Sequence, residues 1–386
     1  GSSLHAVAAV VASFLGGLAL GARVLGIPLA RRGRGARTYA LSPDGRRLAV
    51  TRNEHGFGRL VVVDLAAGEV VHEARGVHGQ VSWQRDTVVA LRSGARTPTQ
   101  LIAYHVPSAS RTVLDAGAAT EWEPGLLVEP EAIEIQGDVI DGVGPVVHAR
   151  LYRSPHNDPS TPGRLIVWLH GGPTDQWQVT FMPRLVYWMS RGWNIVVPDH
   201  RGSTGHGRAY TQALREQWGV LDVADTIAVA RWTLETGLTE PGRMVVMGGS
   251  AGGFTALSAV ASAPGLFSAA ATAYPVTDLS DLPVNSHRFE QHYTDLLVGS
   301  WPEAEQRYLE RSPRSWPERF GMVTVDKNSQ ASANNIRLLY EYEGNPLAVP
   351  LPLPVPTFYA ALKEGARWTA GRESYGWELN QYEACA

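Results

Sequence analysis

The chain has 386 residues, 44% of them hydrophobic and 18% charged, with a formal net charge of −3. That composition excludes a disordered chain and gives no electrostatic reason to expect nucleic acid as a partner, while the length accommodates one large domain and a smaller one. The single cysteine, Cys385, excludes a disulfide framework and a thiolate metal site.

Residues 4–30 are apolar apart from His5 and Arg23, and Arg31, Arg32, Arg34 and Arg37 follow them. The run before Arg23 approaches the ~18-residue lower limit for crossing a bilayer. It lacks the basic leading region of a secretory signal, so it reads either as a signal anchor or as a buried Ala/Gly/Leu helix. The cytoplasm is the expected location, with membrane contact through 4–30 as the alternative.

Residues 38–115 carry a weak repeat. "LSPDGRRLAV" from Leu41 is echoed by "VSWQRDTVVAL" from Val81, and "LVVVDLAAGEVV" from Leu60 by "LIAYHVPSASRTVL" from Leu101. Alternating apolar positions and turn residues such as Asp44-Gly45 fit about two four-stranded propeller blades, with an unrelated antiparallel sheet as the alternative. Two blades do not close a ring, so sheet edges should stay open.

From Pro162 the rhythm becomes strand, loop, helix. Strands are expected at 164–169, 193–198, 243–248 and 267–274, and helices at 223–237 and 254–263. Short apolar strands alternating with helices predict an α/β domain with a mostly parallel sheet and helices on both faces.

The chemistry concentrates at "MVVMGGSAGGF", residues 244–254. A strand running into Gly-x-Ser-x-Gly and then a helix is a nucleophile elbow. The sharp turn demands small neighbours around Ser250, and the first helical N–H groups favour negative charge at the reaction centre. Earlier, "HGGP" at 170–173 follows a strand, and its glycine pair lets a backbone N–H approach a substrate carbonyl. Together with the Ala251 N–H it would stabilise a tetrahedral oxyanion.

"HGGPTDQW", "PDHRGSTGHGR", "WGVLDVADT", "GGSAGGF" and "SHRFEQHYTDLLVGSWPEAEQRYLERSP" resemble, in order and spacing, the prolyl oligopeptidase family of serine peptidases, and most closely its acylaminoacyl-peptidase-like branch. The resemblance implies a β-propeller ahead of an α/β-hydrolase domain and cleavage of short peptides. It implies Ser250 as nucleophile and the Gly172 and Ala251 amides as the oxyanion hole. It further implies that Arg201 and the segment 286–290 shape the active-site surroundings, and Arg201, Trp177, His287 and Arg288 are the candidate substrate-binding residues.

The tail departs from that pattern. The resemblance leads one to expect Asp and then His, each after a later strand. No histidine follows His292, and Asp326 has no evident strand before it. "NPLAVPLPLPVP" (345–356) suits an extended polyproline segment. Both lysines, Lys327 and Lys363, lie in the last 73 residues, and asparagine is commoner there. The divisions expected are an apolar segment 1–37, a propeller-like region 38–125, an incomplete hydrolase domain 126–313 and an atypical tail 314–386. The triad Asp and His are not identifiable, and replacement of the natural C-terminal third is the simplest account.

His287 and His292 are five apart, a poor pairing for a metal, and His170, His200 and His206 sit in loops at strand ends. No P-loop lysine occurs, and "GSTGHG" (202–207) lacks dinucleotide spacing, so no cofactor or metal is expected. Three readings stay open: a serine peptidase acting on short peptides through an acyl-enzyme, a catalytically silent peptide-binding protein, and a small-ester hydrolase. Oligomeric state is not legible.

Overall fold

A computed structural model describes residues 37–117, 124–285, 292–316, 319–320 and 323–326. The apolar run 4–30, His287, Arg288 and the proline-rich stretch 345–356 lie outside the described residues. Among the described residues no helix is long and apolar enough to cross a membrane. The chain forms two compact units, one of residues 1–127 with Trp177–Phe181, the other of 128–176 with 182–386.

The first unit holds two four-stranded antiparallel sheets, ordered β1-β2-β3-β4 and β5-β6-β7-β8. The strands are β1 (Tyr39–Leu41), β2 (Arg47–Glu54), β3 (Phe57–Asp64), β4 (Glu69–Arg75), β5 (Val77–Gln84), β6 (Thr87–Gly94), β7 (Thr97–His105) and β8 (Ser110–Ala116). Each sheet is one turn of the repeat read from sequence. The β2–β3 hairpin closes on His55-Gly56 with φ of 54° and 88°, the two positive values that match the twist of adjoining strands. Alternation buries Leu60 and Val62 of β3 with Val81, Val88, Ala90 and Ile102 of the other sheet in one core. β8 is an edge strand of its sheet and is exposed along its length.

The second unit is a seven-stranded sheet ordered β15-β14-β13-β11-β12-β10-β9. Its strands are β9 (Glu131–Gln136), β10 (Val146–Tyr152), β11 (Arg164–Leu169), β12 (Trp193–Asp199), β13 (Met244–Gly249), β14 (Ala269–Ala273) and β15 (Val323–Asp326). β10 pairs antiparallel with β9 and β12; the remaining pairs are parallel. Helices are α1 (Pro183–Met189), α2 (Arg208–Gln212), α3 (Leu221–Glu235), α4 (Ala251–Ser262), α5 (Leu282–Asn285), α6 (Tyr293–Leu297) and α7 (Glu305–Arg311). Leu165, Val167 and Leu169 of β11 and Val246 of β13 pack against Val229 and Ala230 of α3 and Ala256 and Ala259 of α4.

Three expectations are corrected. α4 starts at Ala251, not 254, because the chain turns into the helix directly at Ser250 despite the low helix propensity of Gly252 and Gly253. The antiparallel pair β9–β10 had not been expected from sequence. Asp326 does have a strand before it: Val323–Asp326 pairs parallel with β14. A four-residue run is too short for periodicity to reveal, and it becomes a strand by completing the ladder of its neighbour.

Candidate active site

From β11 the chain proceeds to β12 on one side and later to β13 on the other. The strand order therefore reverses between β11 and β13, where open α/β sheets leave a crevice beyond their carboxyl ends. The HGGP loop leaves β11 at that point, and Ser250 leaves β13.

Ser250 is solvent-exposed and sits between strand and helix at φ 54°, ψ −124°. For a residue bearing a side chain this conformation costs ~1–3 kcal/mol, and it persists where the surroundings over-determine it. Here the Ser250 N–H donates to Ala273 (3.1 Å), and its carbonyl accepts from Phe254 (3.1 Å) and Val276 (3.3 Å). The flanking glycines are required by close approach. A Cβ on Gly248 would lie 2.3 Å from the Gly252 oxygen, and one on Gly252 would lie 2.5 Å from the His170 oxygen. A Cβ on Gly171 would stand 3.6 Å from that of Ser250, so the HGGP loop borders the serine directly.

Gly172 is exposed at φ +123°, a conformation that disfavours side chains. Among the described residues its N–H has no acceptor. The same holds for the Ala251 N–H, one of the orphan donors of the first turn of α4. Two N–H donors, one directly after the serine and one in the loop that borders it, are therefore left without an acceptor among the described residues.

The histidines at the strand ends are committed elsewhere. His170 is buried, with Nδ1 at 2.7 Å from the Gly171 oxygen and Nε2 at 2.8 Å from Ser203 Oγ, and its ring stacks on His200 at 4.8 Å. Burial pushes its pKa down to about 3, so it is neutral. His200 is buried with Nδ1 at 3.2 Å from the Arg201 oxygen. His206 bonds the buried Asp199 at 2.9 Å. Burial opposes ionisation of Asp199, but Arg150 beside it and the His206 bond outweigh this and hold its carboxyl below the ordinary range. His292 is exposed and pairs with Asp295 at 3.0 Å. Ser250 Oγ has no hydrogen-bond partner among the described residues.

Arg201 is corrected from a residue facing the site to a buttress behind it. Its side chain is 1% exposed, and its Nε and Nη2 pair with Asp225 while Nη1 donates to the Asp138 and Gly144 carbonyls. The buried guanidinium is thus spent on partners within its own unit. Trp177 is half-buried and groups with the first unit, where Val179 donates to Gly56 (2.7 Å) and Phe181 to Ser93 Oγ (3.0 Å).

Two features escaped the sequence reading. Tyr274, 40% exposed at φ 39°, lays its ring 3.3 Å from where a Gly249 Cβ would be, and only the adjacent proline marks it in the sequence. The register also aligns Gly249, Ala273 and Asp326 across β13, β14 and β15 at the carboxyl edge of the sheet.

An exposed serine in a strained turn between a parallel strand and a helix, on this sheet order, defines an α/β-hydrolase domain. Residues 179–321 match the prolyl oligopeptidase family. The acylamino-acid-releasing enzyme 1 of Oryza sativa subsp. japonica is 37% identical over 115 residues, 30% of this chain and 15% of the enzyme. The acylamino-acid-releasing enzyme of Arabidopsis thaliana is 32% identical over 163 residues, 39% of this chain and 21% of the enzyme. A puromycin-hydrolyzing peptidase of Mycobacterium tuberculosis superposes with a TM-score of 0.68 and 32% identity, over 75% of this chain and 45% of that one. A puromycin hydrolase structure gives 0.67 and 29%, over 75% and 44%. The chain thus spans about a fifth or less of the first two enzymes. Fold, elbow and the match over residues 179–321 agree in a likeness to the prolyl oligopeptidase family.

Proposed function

We propose that the second unit is a serine-type acyl hydrolase of the acylaminoacyl-peptidase kind, cleaving short peptides through an acyl-enzyme on Ser250. The observation that carries this reading is the exposed Ser250, held at φ 54° near two amides that have no acceptor among the described residues. Ser250 Oγ attacks the substrate carbonyl carbon and gives up its proton to a general base, which returns it to the departing amine. The carbonyl oxygen becomes an oxyanion that accepts from the Gly172 and Ala251 N–H groups. Collapse expels the amine, which takes a proton as it leaves, and water then attacks the ester carbonyl to free the acid and restore the hydroxyl. Removing one oxyanion donor from such a site costs on the order of 10²–10³ in rate.

A serine hydroxyl needs a base to take its proton. His170, His200 and His206 are engaged elsewhere, and Asp326 stands at the end of β15, two strands from β13. The lack of any hydrogen-bond partner for Ser250 Oγ among the described residues favours a second reading, a peptide-binding hydrolase fold without turnover. A small-ester hydrolase is the third.

A fluorophosphonate probe separates them. Labelling that disappears in Ser250→Ala supports an activated serine. An unlabelled, folded protein that still binds peptide supports the silent reading. Hydrolysis of a p-nitrophenyl ester without that of a peptide anilide supports the esterase.

A further inference from the structure

The segment Gly171–Thr174 carries the Gly172 amide and is fixed at each end. At its start His170 is bonded through both ring nitrogens and its carbonyl abuts Gly252. Beyond its end Asp175 accepts from the Thr204 N–H at 3.1 Å. Between these points one side chain from a distant element holds the loop. The Thr174 N–H donates to the Tyr293 phenol oxygen at 3.3 Å, and Thr174 Oγ1 hydrogen-bonds the same oxygen. Tyr293 opens α6, 119 residues further along the chain.

α6 is itself anchored. Its Leu296 and Leu297 carbonyls accept from the Glu216 and Trp218 N–H groups at 3.0 and 3.1 Å. Leu297 lies in a buried cluster with Trp218, Phe254, Tyr308 and Ala251, and Tyr293 packs against that cluster. One core therefore supports both amides. Ala251 is embedded in it directly, and Gly172 is referred to it through Tyr293 and Thr174, two residues away.

We propose that the Tyr293 phenol is a positioning residue, registering the Gly172 amide to the Ala251 amide by holding Thr174. The proposal rests on the reading of these two amides as the oxyanion hole. An oxyanion is stabilised only by donors already aimed at its position, and a displacement of ~1 Å can cost ~10²-fold in rate.

The test removes only the hydroxyl, in Tyr293→Phe, and the same bond from the other side, in Thr174→Val. Three readouts apply: labelling rate with the fluorophosphonate probe, kcat and KM on a peptide anilide, and amide hydrogen exchange over residues 170–176. The expected result is a loss of roughly ten- to a hundred-fold in kcat and labelling. KM and melting temperature should stay unchanged, and exchange should be faster at the Thr174 amide in Tyr293→Phe. The double variant should be no worse than Tyr293→Phe, which removes both bonds to Thr174, whereas Thr174→Val removes only the hydroxyl's. Wild-type exchange at the Thr174 amide in Tyr293→Phe, or wild-type kcat and labelling in both variants, would overturn the proposal, as would a loss of protection spread evenly over the unit. If the wild-type protein neither labels nor turns over, the hydrolase reading fails by itself, and exchange still decides whether Tyr293 holds the loop. Should Tyr293→Phe not fold, Thr174→Val decides alone.

Discussion

The Ser250 N–H donates to the Ala273 carbonyl at 3.1 Å, so the candidate nucleophile is tied to the last residue of the neighbouring strand as well as to its own helix. Ala273 is also the register partner of Gly249 on one side and of Asp326 on the other. The elbow is therefore held by the sheet edge, which explains how its backbone strain is sustained.

The elbow glycines should separate stability from chemistry. Gly248→Ala and Gly252→Ala push a methyl to within 2.3 and 2.5 Å of backbone oxygens, which cannot move aside as a flexible side chain would. Each is expected to cost at least the ~1–3 kcal/mol of an overpacked core in urea unfolding. Gly171→Ala meets its nearest atom at 3.3 Å and should fold, but it should slow probe labelling because its methyl stands beside Ser250. Unchanged stability in both of the first two variants would contradict the close packing.

Arg201 and Asp225 form a fully buried pair, whereas Arg243 and Glu240 pair on the surface with side chains about half exposed. Arg201→Ala strands a buried carboxylate and should destabilise by ~3–5 kcal/mol. Arg243→Ala should cost ~1 kcal/mol or less, since an exposed pair is screened by water. Chemical denaturation of the two variants side by side reads the contrast, and comparable losses would refute it.

Acid should destabilise the second unit through His170. Burial lowers its pKa from the ordinary 6.5 to about 3, so the unfolded chain binds this proton more readily than the folded one. The sign follows from linkage: stability is complete above pH 6.5 and declines as pH falls towards 3, by ~1.4 kcal/mol per pH unit for a single group. Urea unfolding at pH 7, 6 and 5 should show that slope, and His170→Asn should remove one proton's share of it. His78, lowered to about 4 by burial, gives the first unit a slope of the same sign.

Asp222 is buried beneath α4, where Thr255 Oγ1 donates to one carboxyl oxygen at 2.5 Å and the Gly219 N–H to the other at 2.6 Å. Thr255→Val keeps the shape and removes one donor. The expected loss is ~1–3 kcal/mol, that of leaving a buried acceptor without its partner. A thermal melt indistinguishable from wild type would mean that water replaces the hydroxyl.

Much of the fold was legible because it is locally encoded. The alternation in β2, β3, β6 and β7 announces half-buried strands, and the apolar runs of β11, β12 and β13 announce a sheet covered on both faces. By contrast β15, with four residues, has no period of its own, and β9 is an edge strand exposed at most positions. Such segments acquire strand geometry from the partner they pair with.

The site divides in the same way. Ser250 and its glycines could be named from the sequence because the turn's sterics act over five consecutive residues. Arg201 and the loop histidines look chemically available in the sequence, and only tertiary packing reveals that their hydrogen bonds are already taken. The contact of Tyr293 with Thr174 spans 119 residues and leaves no mark in either local stretch. Sequence alone determined the elbow and the alternation of strands and helices, since these follow from the geometry of near neighbours. Tertiary structure decided which polar groups face the elbow and which are spent in the core, because that depends on contacts between distant segments, made only when the sheet assembles.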